Sequence, residues 1–244
     1  MHLTTLAFQF PTLPHIHCCF TLKQPVEGDV FGFGNLSYDV SDDPKRVDAA
    51  RACLLAQEKA HGLKALVEVH QVHGESLLFD PVGDCATQCA DGLATREAGL
   101  GLLIKTADCQ AILFTDRVGS CLMALHVGWR ANRSGFIKKA VLALTQRYGV
   151  QPKDLLAVRG PSLSPLNAEF VHFDQEWGAS FAPWFDPATK TMDLWGLTRA
   201  QLVDAGLLPR HIFGIDLCTM GNPHCYSYRR EKQCGRQGGI IWRA

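Results

Sequence analysis

Leu102-Leu103-Ile104-Lys105, Ala111-Ile112-Leu113-Phe114 and Cys121-Leu122-Met123-Ala124-Leu125-His126 are the runs that decide the fold class. Each is short, apolar and bounded by turn residues or charges, the pattern of strands in a sheet buried on at least one face. Upstream, the stretch 65–79 reads with period two. Ala65, Val67 and Val69 share one face and Leu66, Glu68 and Val72 mostly the other, which predicts a strand ending near Gly74. Downstream, 212–217 and 239–242 read as further strands. Helices are fewer. One is predicted over 44–61, with a capping acid just before Pro44 and Gly62 as its stop. Its apolar stripe is Val47, Ala50, Leu54 and Leu55, and Arg51 falls inside that stripe. A second helix is predicted to be capped by Ser134, with the stripe Ile137, Ala140, Val141 and Leu144 and an end at Gly149. A third covers 194–205 and stops at Gly206. Strands outnumber helices without βαβ alternation, which predicts an α+β fold, a mixed β-sandwich flanked by helices.

The chain has 244 residues, 47% of them hydrophobic, and 24 basic against 24 acidic residues leave no formal charge. Such a balance lacks the electrostatic excess that draws a protein to phosphate backbones or anionic lipid, so no nucleic-acid or membrane partner is expected. No repeat, low-complexity segment or linker interrupts the sequence, and one domain over residues 1–244 is expected. The longest nearly apolar stretch, 118–129, is far short of the ~20 residues that span a bilayer. Near the start, Phe8, Pro11 and Pro14 interrupt any signal core and no basic residue precedes it. A cytoplasmic protein with ten reduced cysteines, mostly buried, is the expectation.

Three segments carry chemistry. In Val69-His70-Gln71-Val72-His73-Gly74 a strand would turn His70 and His73 to opposite faces, and His73 lies beside a glycine where the chain leaves the sheet. Thr106-Ala107-Asp108-Cys109 reads as the middle of a buried hairpin, where a charged Asp is costly unless paired or functional. Leu125-His126-Val127-Gly128-Trp129-Arg130 is a strand ending in a histidine before a glycine and a helix. Together they supply imidazole, thiolate and imidazole at strand ends. That set, His73, Cys109 and His126, is a zinc site with one coordination position left open.

Spacing weighs against other metal chemistry. A nucleobase deaminase needs His-x-Glu and then Pro-Cys-x-x-Cys; His73-Gly74-Glu75 supplies the first half, but Cys85 and Cys89 do not supply the second. Cys218, His224, Cys225 and Cys234 lack the paired short spacings of a structural zinc site. His15-Ile16-His17 is the only His-x-His pair, where a multicopper oxidase needs several. A metal-free alternative uses the same residues: a cysteine hydrolase with Cys109 as nucleophile and His126 or His73 as base.

Gln71-Val72-His73-Gly74, Thr106-Ala107-Asp108-Cys109, His126-Val127-Gly128-Trp129-Arg130, Gly160-Pro161-Ser162, Ser227-Tyr228-Arg229-Arg230 and Gly235-Arg236-Gln237 occur in that order. They resemble the laccase-domain family, misnamed as polyphenol oxidases, over nearly the whole chain. The resemblance implies a single-domain α+β fold and a zinc-dependent purine nucleoside phosphorylase acting on adenosine, inosine, guanosine and methylthioadenosine, with an added adenosine deaminase activity. It implies His73, Cys109 and His126 as zinc ligands and catalytic residues, and Asn35 and Arg51 as substrate-binding positions. Arg51, with Arg130 and Arg229 as further substrate-binding candidates, is available to clamp the oxygens of inorganic phosphate. The chain departs from the family pattern at Val127, Ala131 and Ser162, the last replacing a usual cysteine.

Overall fold

The three apolar runs are strands, and they are apolar because they are covered on both faces. A computed structural model describes residues 2–244. Its five-stranded sheet runs, in spatial order, Thr5–Phe8, Ile16–Thr21, Gln237–Arg243, Leu100–Thr106 and Ala65–Val67. A six-stranded sheet runs Ile212–Gly214, Leu155–Arg159, Gln110–Asp116, Leu122–Val127, Gly92–Thr95 and Leu77–Phe79. Pairing is antiparallel except for Ala65–Val67, Ile212–Gly214 and Leu77–Phe79, each of which lies parallel to its neighbour.

Alternation along each strand sorts its side chains into separate cores. Cys18, Phe20, Leu102, Ile104 and Ile241 meet Ala111, Leu113, Leu122, Ala124 and Val158 between the two sheets. The intervening Cys19, Leu103, Ile240 and Trp242 face outward onto the helix Pro44–Glu58 through Ala50 and Leu54. Ile112, Phe114, Met123 and Leu125 face the opposite way, onto the helix Phe136–Tyr148 through Ile137, Ala140, Val141 and Leu144. The order of layers is therefore helix, sheet, sheet, helix. This is the expected α+β sandwich.

The helix punctuation is largely as read. Asp43 caps the first helix by accepting from Lys45 N, and Gly62, in the left-handed region, ends the 3-10 turn that follows. Asp193 caps Leu194–Asp204, and Gly149 closes Phe136–Tyr148. The helix assigned to a Ser134 cap differs. Ser134 is instead the last residue of a separate short helix, Trp129–Ser134, and Gly135 in the left-handed region joins the two. The reading over 65–74 also changes, because strand pairing ends at Val67 and the chain turns over before Gly74. The 212–217 strand likewise stops at Gly214. The hairpin around Asp108 is replaced by a corner: Leu100–Thr106 belongs to one sheet and Gln110–Asp116 to the other, so residues 107–109 cross between layers. Among the described residues, no helix is long and apolar enough to cross a membrane.

The sheets approach so closely at one point that only hydrogen fits. A Cβ on Gly239 would stand 2.6 Å from the Ala111 Cβ and 3.2 Å from the Phe20 ring. Gly239→Ala is expected to cost about 1–3 kcal/mol through overpacking. Urea denaturation should show a lowered midpoint with an unchanged slope, and an unchanged midpoint would contradict this packing.

Candidate metal centre and substrate pocket

One end of the six-stranded sheet collects the chemistry. His126 is the penultimate residue of Leu122–Val127 and pairs with Ala111, two residues after Cys109. Leu125 pairs with Gly92, so Asp91 stands beside His126 on the other flank. The strand Leu77–Phe79 starts at the same end and is led in by the turn that carries His73. Non-local register thus brings together three segments that are far apart in the chain.

The ligand atoms of His73, Cys109 and His126 all lie within 4.8 Å of one another. The imidazole rings of His73 and His126 have centroids 4.7 Å apart. His126 is buried, Cys109 half-buried and His73 exposed, so the cluster has an inner wall and an open side. His126 Nδ1 lies 2.7 Å from Asp91 Oδ1, leaving Nε2 for the cluster. Asp91 is fully buried and also accepts backbone N–H groups from Val72, His73 and Gly74 at 3.3, 3.0 and 2.6 Å. These bonds hold a turn in which His73 adopts a φ of 58°, unusual for a residue with a side chain.

Electrostatics within the cluster favour an ion pair. Burial would raise the Cys109 thiol, but the charge of His126 and hydrogen bonds from His126 and His73 hold it well below the usual thiol range. Burial would lower His126, but Cys109, with Asp91 behind the ring, holds it above the usual imidazole range. Such a thiolate is ready to ligate a metal.

The residues present fit zinc. Nitrogen and sulfur donors take zinc at roughly 2.0–2.3 Å, so two imidazoles and one thiolate gathered this closely can surround one ion. The space between them is preserved by a missing side chain. A Cβ on Gly128 would lie 3.0 Å from Cys109 Sγ and 3.3 Å from His73 Nδ1. Among the described residues this is the one such group of three or more ligating side chains. Cys218, His224, Cys225 and Cys234 form no second cluster; Cys225 and Cys234 are buried thiols pushed up by desolvation. Glu75 pairs with Lys139 on the surface, and His17 stacks on His61 and Trp242, so neither serves this centre.

The cluster opens into a cavity of about 780 Å³. Arg130, Arg229, Lys105, Lys232 and Arg236 line it, as do Trp129, Phe170 and Tyr228. The Arg130 guanidinium lies 4.5 Å from the Trp129 ring centroid. Arg229 donates its side chain to the Glu169 carbonyl and its backbone N–H to Asp108 Oδ2. Asp108, at a φ of 95°, also accepts from Thr219 Oγ1 and so ties the inter-sheet corner to the segment bearing Arg229.

Two residues implied for substrate binding have partners within the protein. Asn35 and Arg51 are not among the residues that line the cavity. Asn35 is buried; its Nδ2 donates to Ser37 O and Asp42, and its Oδ1 accepts from Ser37 N and Arg236 N. It therefore positions Ser37 and Arg236, which do line the cavity. Arg51 donates to the Leu36 carbonyl and pairs with Glu68 at 2.5 Å, and Glu68 in turn holds Lys105 at 2.6 Å. The guanidinium on the apolar stripe reaches an acidic partner, and that same carboxylate holds Lys105, which lines the cavity. Asp91 carries no signal in the sequence, because a lone Asp before an apolar run means nothing until its neighbour in the sheet is known. Lys105 was read only as the end of a strand.

Comparison with known proteins gives consistent results. Residues 16–244 match the family model described as multi-copper polyphenol oxidoreductase laccase. A purine nucleoside phosphorylase of Shigella flexneri is 31% identical over 217 residues, covering 85% of each chain. One of Pseudomonas aeruginosa is 30% identical over 244 residues and 96% of each chain. A Neisseria meningitidis protein of solved structure superposes with a TM-score of 0.84 at 25% identity, covering 98% of each chain.

Arg51→Met should lower stability by about 1–3 kcal/mol, less than for a fully isolated buried charge because Lys105 still holds Glu68. Denaturant unfolding measures that cost. Phosphate affinity should change far less than in Arg130→Met, and an equal loss in both would return Arg51 to the cavity.

Proposed function

The chain belongs to the laccase-domain family, and from that premise we propose that it is a zinc-dependent purine nucleoside phosphorylase. The observation that carries the proposal is a His/Cys/His donor set opening directly into a cavity that is both cationic and aromatic. Its substrates on this reading are a purine nucleoside and inorganic phosphate.

His73, Cys109 and His126 would hold the zinc. When bound, zinc supplies a positive charge with one coordination position left for an oxygen ligand, and so stabilises charge developing at the reaction centre. The protein's own groups do the rest. Arg130 and Arg229 present guanidinium forks suited to phosphate oxygens, and Lys232 adds positive charge along the wall. Trp129, Phe170 and Tyr228 offer π-faces against which a purine can stack. Positioning phosphate against C1′ lets an oxygen of hydrogen phosphate form the new C–O bond as the glycosidic C–N bond breaks, the electron pair leaving with the base and the phosphate's proton ending on it. Much of the rate gain then comes from orientation and charge stabilisation. Adenosine deamination at the same centre is read as a subsidiary activity. Phenol oxidation has no support from the ligand groups, because a multicopper site needs several histidine pairs and the one candidate pair, His15 and His17, is not part of the cluster.

The alternative, a metal-free cysteine hydrolase, draws on the same thiolate next to an imidazole. The two differ in what they need from the sulfur. Cys109→Ser in a zinc enzyme should lose most bound metal and activity together, because a hydroxyl replaces a thiolate ligand poorly. Cys85→Ser and Cys89→Ser should leave both unchanged.

The direct assay supplies adenosine, inosine or guanosine with phosphate and follows free base and ribose 1-phosphate, with inosine formation from adenosine as the second readout. Release of base that depends on phosphate is the expected outcome. No release from any of the three nucleosides, or a Cys109→Ser protein with full zinc content and no activity, would overturn the proposal.

A further inference from the structure

We infer that Asp91 is the positioning residue that preforms the zinc site, one carboxylate serving both histidine ligands. The inference rests on the zinc reading above and deepens it.

Asp91 precedes the strand Gly92–Thr95 and is fully buried at the sheet end. A carboxylate in such a place must be compensated, and it has four partners. Oδ1 faces His126 Nδ1 at 2.7 Å and accepts from His73 N at 3.0 Å; Oδ2 accepts from Gly74 N at 2.6 Å and Val72 N at 3.3 Å. The Asp91 carbonyl also accepts from His126 N at 2.8 Å. Each bond has a consequence for ligation. The bond to Nδ1 keeps a proton there, so the proton His126 gives up to ligate a metal is the one on Nε2, the nitrogen that faces Cys109. The three backbone bonds hold the 72–74 turn, in which His73 is forced into the left-handed region and its exposed ring is brought over His126. Without Asp91 the three N–H groups lose their shared protein acceptor and turn to solvent, and His73 would relax toward ordinary backbone.

Asparagine cannot substitute. If its oxygen faces His126, its NH₂ meets the N–H groups of Val72 and Gly74; if its oxygen faces the turn, its NH₂ meets Nδ1 and selects the wrong tautomer. A partner of this kind is commonly worth about 10–100-fold in metal affinity.

The test measures metal binding rather than turnover. Chelator competition gives the zinc Kd of metal-free wild type and Asp91→Asn, and cobalt titration reads the thiolate charge-transfer band and the d–d bands of a tetrahedral site. Wild type should bind one zinc, and Asp91→Asn, folded by circular dichroism, should bind it about 10–100-fold more weakly with altered d–d bands. A merely structural role would lower the melting temperature and leave the Kd of folded protein and the cobalt spectrum unchanged. Nitrogen-15 NMR of zinc-loaded wild type, which needs no variant, should show His126 protonated at Nδ1 and metal-bound at Nε2. Equal zinc affinity in the two proteins, or metal on Nδ1, would overturn the inference alone. Failure of wild type to bind zinc would sink the zinc reading and this inference with it.

Discussion

Four donors converge on the one buried carboxylate of Asp91, and the geometry of the functional end of the molecule follows from that convergence. A charge without solvent is tolerable only where hydrogen bonds and an opposite charge replace its hydration. Here the replacements are a histidine at the end of one strand and the backbone of a turn leading into another. Satisfying the carboxylate therefore fixes the relative position of the two imidazoles. Cys109 completes the group from the third direction, on a corner between sheets that Asp108 and Thr219 pin in place.

Covering both sheets on both faces has a second effect. With the strand interiors filled by apolar side chains, charged groups collect where strands end. Lys105 shows the transition. It closes an apolar run, its ammonium is nearly buried, and Asp39 and Glu68 take its charge, with Arg51 backing Glu68. A chain of alternating charges thus runs from a helix on the outer layer to the cavity wall. Positive groups outnumber negative ones along that wall, although the whole chain has no net charge. The local field, not the overall charge, is what an anionic substrate would meet.

Local punctuation was legible in the sequence; non-local register was not. Asp43, Pro44 and Gly62 mark the first helix by chemistry contained within it, and the apolar runs mark the strands for the same reason. His73, Cys109 and His126 were recognisable as residue types at strand ends. The strand read over 65–74 failed because alternation cannot reveal that pairing stops at Val67 and that Asp91 pulls the following turn back on itself. The hairpin at Asp108 failed because adjacent apolar runs with a short connection look the same whether they pair or part into different sheets. Resemblance implies Asn35 and Arg51 at the substrate, and no local pattern discloses the hydrogen bond to Arg236 N and the ion pair with Glu68 that they make.

The order of strands in the five-stranded sheet bears on how the chain acquires its structure. Gln237–Arg243 lies at the centre of that sheet, between Ile16–Thr21 and Leu100–Thr106, and contributes Ile240, Ile241 and Trp242 to two different cores. Everything it joins is synthesised before it. During translation the strands 16–21 and 100–106 must wait with open edges and exposed apolar faces until residues 237–243 have emerged, a period in which aggregation and chaperone capture compete with folding. Closing the sheet by its final strand makes folding depend on contacts of long sequence separation, which are slow to form. The segment 237–243 is thus decisive for the whole sheet: without it two strand edges stay unpaired and two cores lose Ile240, Ile241 and Trp242 together.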